Sequence, residues 1–235
     1  AETLGFAFAS EDLVLAWSVA APAPVDDQGR AGQMRVLRTL LLRIFMRRSD
    51  QADPPKQADL FHGYAQWARA CALLNVAVSE LERAEAPLFR DAVLVGVAVL
   101  SLSRKMETSA AQTPGDLVKL AAEIEHIIGL PIKARTPKEI CAAEITILEV
   151  LNWQLPSTDT FTVLSTLLFR LDVATRGQYT HGLAHAWDEA VKLFLSLTIN
   201  GHENGYSTAQ RIVWEASGAL HEEPAFATAL ELAAP

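Results

Sequence analysis

The chain has 235 residues, 50% of them hydrophobic and 20% charged, with a formal net charge of −8. That is enough chain for one large domain or two of about 100 residues each, and the acidic balance argues against a phosphate-binding surface as the main function. No apolar run reaches the roughly 20 residues a bilayer-spanning helix needs, so the composition reads as a soluble globular protein without a membrane partner. Enrichment in Ala, Leu and Glu points to helices.

The start, AETLGFAFASEDLVLAW, carries Glu11 and Asp12 and has no basic region before its apolar residues, so it does not read as a signal peptide. Thr3–Val19 is predicted as an amphipathic helix and Ala21–Arg30 as a loop. Gly32–Arg48 follows as a helix with Arg35, Arg38, Thr39, Arg43 and Arg47 on one polar stripe and Met34, Leu37, Leu41, Ile44 and Phe45 on a wide apolar face. After the loop SDQADPPKQ comes a long helix, Asp59–Glu85, with Trp67, Leu74 and Val78 at helical intervals.

Leu88–Thr108 organises the rest. From Ala92 to Leu102 almost every residue is apolar, so no face is left for water, and a helix apolar all round is buried. It is expected to be wrapped by other helices, opened by Pro87, and to surface at Ser103, Arg104, Lys105, Met106 and Glu107. Thr113-Pro114-Gly115-Asp116 then reads as an N-cap with proline at the first helical position, starting a helix over Leu117–Ile128 that Gly129 ends. Thr136-Pro137-Lys138-Glu139 is a capping box that launches Pro137–Leu151, with Ile140, Ala143, Ile147 and Val150 buried.

Pro156 marks a joint, after which Thr158–Leu171, Gln178–Thr198, Ser207–Leu220 and Glu222–Ala233 are predicted as helices. The expectation is an all-α chain: an N-terminal helix and loop over 1–30, a five-helix domain over 31–155, and a second helical domain over 156–235.

The order MRVLRTLLLRIF, VAVLSLSRKMET, EICAAEITILEVLNWQLPSTDTF resembles the cyclins, over roughly Gly32–Leu171 and more weakly over Asp188–Leu220. The resemblance implies two consecutive cyclin-box-like domains and an intracellular regulatory subunit, nuclear or cytoplasmic, that is not itself an enzyme. Such a subunit binds a cyclin-dependent protein kinase and pushes the helix bearing an active-site glutamate into place. The family's two charged anchors, a lysine ending the third helix and a glutamate in the fifth, fall on Lys105 and Glu144. Taken alone, Lys105 reads as a solvated helix-end lysine; Glu144, between Ala143 and Ile145, is the sharper anomaly. Leu102, Met106 and Ile147 are expected to supply the apolar part of that contact.

The resemblance has departures. The stretch from Lys105 to Glu144 is longer than the usual cell-cycle pattern and closer to that of transcription-type cyclins. The family's arginine-to-aspartate pair between the first two helices has Arg35 and, in place of the acid, Glu80. A peptide-docking patch for substrates or inhibitors is matched by Met34 and Leu41, but Arg38 and Ile44 replace its other residues, which favours core packing there.

His181, His185 and Glu189 share a helical face, but no further ligand motif supports a metal, and no phosphate loop or nucleophile elbow is present. No cofactor is expected. The competing class is a cyclin-fold scaffold or transcription-factor-like module without a kinase, with Arg35, Arg38, Arg43, Arg47 and Arg48 as an anionic contact; the acidic balance weakens nucleic acid as its partner.

Overall fold

A computed structural model describes residues 29–46, 57–106, 113–156, 159–201 and 205–233. The helix expected over Thr3–Val19, together with Arg47, Arg48 and Glu107, lies outside the described residues. Among the described residues there are nine α-helices, two short 3-10 turns and no strand. The chain divides into two compact units between residues 157 and 158.

The first unit holds α1 (Arg30–Met46), α2 (Gln57–Arg83), α3 (Ala92–Met106), α4 (Pro114–Ile127) and α5 (Pro137–Val150). Helix α3 is its axis, packed against the other four. From Ala92 to Ser103 only Leu94 escapes full burial, the consequence of an apolar residue at nearly every position. Gly96 is the close approach: a Cβ there would stand 3.1 Å from Leu37 Cδ2, so its absence lets α1 settle on α3.

Pro87 does not open α3. It starts a separate 3-10 turn, Pro87–Arg90, and the α-helix begins one residue after Asp91, whose Oδ1 accepts the Leu94 amide at 3.1 Å. The carboxylate satisfies one of the amides that a helix start leaves without an intrahelical acceptor. The two predicted caps, at Thr113 and Thr136, form. Thr113 Oγ1 accepts the Asp116 amide, and Thr136 and Glu139 exchange both bonds of the capping box. Helix α4 closes at Gly129, φ +71°, with the Leu130 amide bonded to the Glu125 carbonyl at 2.9 Å, a turn whose left-handed residue favours glycine.

The second unit holds α6 (Thr160–Ala174), α7 (Thr180–Ile199), α8 (Tyr206–Ala216) and α9 (Pro224–Ala233). Helix α6, capped by Asp159 through the Thr162 amide at 2.7 Å, packs against the other three. Its Phe161 meets Trp187 edge-on and Phe194 at an angle, with centroids 5.7 and 5.3 Å apart, an arrangement aromatic rings favour. The helix expected over Ser207–Leu220 is shorter: α8 stops at Ala216, and Gly218–Leu220 continue as a 3-10 turn. Buried Ser217 faces His221 Nε2 at 3.1 Å across that break. Among the described residues no helix is long and apolar enough to cross a membrane.

Candidate functional site: the tip of α3 against the middle of α5

Lys105 stands in the last turn of α3, where the helix dipole favours a cation. Glu144 lies midway along α5, on the same side as Ile140, Ala143 and Ile147. Because α3 and α5 pack side by side, Lys105 Nζ donates to Glu144 Oε2 at 2.6 Å. The carboxylate side chain is 9% exposed and the lysine 48%. A carboxylate this dry needs a donor, and Lys105 is that donor; the exposed side of its ammonium still faces solvent. Next to it, the Arg104 guanidinium stacks 5.6 Å over the Phe45 ring, tying the last turn of α3 to the last turn of α1.

The apolar residues expected around this pair divide differently. Leu102 and Ile147 are 5% and 0% exposed, so both belong to the core and neither presents a surface. Ile147 follows Glu144 by three residues, which keeps it on the buried side of α5. Met106 is half-buried. Ile145, 49% exposed, is the large apolar side chain that α5 leaves on the surface. The sequence places it only as a neighbour of Glu144; the helix phase that exposes it depends on which face α3 covers.

On α1, Met34 and Leu41 are buried, so they pack the core and form no docking patch on the surface. The expected Arg35–Glu80 pair is not made. Arg35 is exposed, and Glu80 pairs with Arg83 one turn along its own helix. Arg38 reaches α2 instead. It is 9% exposed, donates from Nη2 to Asn75 Oδ1 at 2.7 Å, and its backbone carbonyl accepts Trp67 Nε1 at 2.9 Å. Three residues turn a helix by about 300°, and that phase decides which arginine faces inward.

A second charged cluster escaped the sequence reading. The extended stretch between α4 and α5 is clasped by Arg135, whose Nη1 and Nη2 bond both oxygens of Asp91 at 3.0 Å. The same guanidinium holds Glu125, which also accepts the Lys133 amide at 2.9 Å, and Lys133 Nζ reaches Asp91 at 3.1 Å. Burial alone raises the Asp91 pKa, but the Arg135 bonds, the Leu94 amide and Lys133 outweigh it and hold it below the ordinary carboxylate value. Only the capping role at Asp91 has a local sequence signal; the clasp joins residues 44 apart.

His181 and His185 are exposed, and Glu189 bonds Lys192 at 2.9 Å. Among the described residues no group of three or more His, Cys, Asp or Glu is arranged to hold a metal ion. Comparison of the chain with protein-family models, with curated proteins and with solved structures finds no match.

Proposed function

We propose that this chain is a cyclin-like regulatory subunit that binds and activates a cyclin-dependent serine/threonine protein kinase, with Lys105 and Glu144 as the charged part of the contact. The observation that carries the reading is the 2.6 Å pair between the tip of the third helix and the middle of the fifth. A half-exposed ammonium beside a carboxylate offers donors and an acceptor at one place, which suits gripping the polar backbone of a partner segment. Met106 and Ile145 would exclude water around it. The chain brings no chemistry of its own in this reading; it acts by biasing the kinase helix that carries the ion-paired glutamate toward its active position.

The test is addition of the purified chain to individual cyclin-dependent kinases with a peptide substrate, reading phosphate transfer. The double exchange Lys105→Glu with Glu144→Lys preserves an internal pair but reverses what the partner meets. It is expected to abolish binding and activation while the helical circular dichroism stays unchanged. Unaltered binding would remove the two residues from the contact. Salt-sensitive retention of nucleic acid with no kinase recovered would favour the scaffold or transcription-factor-like module.

A further inference from the structure

We infer that the seam between α1 and α2 at Arg38 is an oxyanion site, which takes a carboxylate or phosphate group that the described residues do not supply. Arg38 as a whole residue is 9% exposed, and the side-chain partner of its guanidinium is the neutral amide of Asn75, at 2.7 Å. Its Nε is buried with no acceptor among the described residues. Arginine stays cationic under all ordinary conditions, so the site holds a desolvated charge beside a neutral partner.

The near neighbours do not balance it. Burial pushes the Cys71 thiol up to about 12, so it is neutral at pH 7. The Glu80 carboxylate on α2 is engaged by Arg83. Exposed Arg35, one turn earlier on α1, adds charge of the same sign. The Trp67 indole anchors the Arg38 backbone at 2.9 Å, so the arginine is held in the seam. Asn75 is only half-buried and Val76 beside it is 42% exposed, which puts the polar end of the seam near the surface of α2. Planar, forked donors of this kind match carboxylate and phosphate oxygens.

Thermal unfolding of the full chain tests it, in inorganic phosphate and in acetate, each against chloride at the same ionic strength. The expected result is a rise in Tm of about 2–4 °C near saturation. A rise with both anions assigns the site to carboxylates, such as an acidic side chain of a partner; a rise with phosphate alone assigns it to phosphoryl groups. Asn75→Asp places a carboxylate where the amide now sits. It is expected to raise Tm in chloride and to remove the anion response, and Arg38→Met is expected to remove that response as well. No rise over chloride in the unaltered chain, or an undiminished rise in Asn75→Asp, overturns the inference. Should Arg38→Met fail to fold, the Asn75 variant decides alone.

Discussion

Glu144 sits among residues that exclude water, and its charge is tolerable because an ammonium from another helix stands 2.6 Å away. Lys105→Met should therefore strand the carboxylate and cost about 1 kcal/mol, seen as a Tm lower by about 2–4 °C. Glu144→Gln should cost less, because the amide oxygen still accepts from the lysine. An equal loss in both variants would mean that packing, not charge, holds this corner. The resemblance to the cyclins is what singled out Lys105 and Glu144 as a pair; by itself the sequence shows a carboxylate interrupting an apolar helix at Glu144 and an ordinary helix-end lysine at Lys105. Arg38 was not singled out. It shares a polar stripe with Arg35, and composition cannot tell which of two arginines three residues apart turns inward.

At the scale of elements, the clasp on the α4–α5 connection explains how an extended stretch with exposed Ile132 holds its path. The Arg135 side chain is 5% exposed and that of Glu125 1%, so Arg135→Met leaves a buried carboxylate without its cation and should cost about 3 kcal/mol in urea unfolding. The pH dependence follows from Asp91. Its folded pKa is lowered, so its contribution to stability is complete above the unfolded value of about 4 and is lost as pH falls through the folded value. Asp91→Asn should be less stable than the unaltered chain at neutral pH and lose less between about pH 5 and about pH 2. A parallel decline in both would place the acid sensitivity elsewhere. The contact of α1 on α3 has its own probe. In Gly96→Val the new Cβ would stand 3.1 Å from Leu37 Cδ2 and carry two methyls further into α1, so overpacking should destabilise the chain by about 1–3 kcal/mol, measured as a lower urea midpoint.

For the whole molecule, each unit has its own core: α3 enclosed by four helices in the first, and Phe161, Trp187 and Phe194 in the second. Leu100, fully buried in α3, is a fair test of the first core. Leu100→Ala should cost about 2–5 kcal/mol, read as a shifted urea midpoint. Local sequence was enough to set the helices of the described residues, their order and most of their ends. Apolar spacing, threonine caps and a glycine stop act within a few residues, so they are readable locally. It also marked α3 as the buried axis, because a helix with no polar face has nowhere else to go. Which apolar residues reach the surface was settled by helix packing, so that Leu102 and Ile147 went to the core while Ile145 stayed out. The same packing joined Arg135 to Asp91 and Arg38 to Asn75. These choices depend on the rotation of one helix against another, and that rotation is set by packing between residues far apart in the chain.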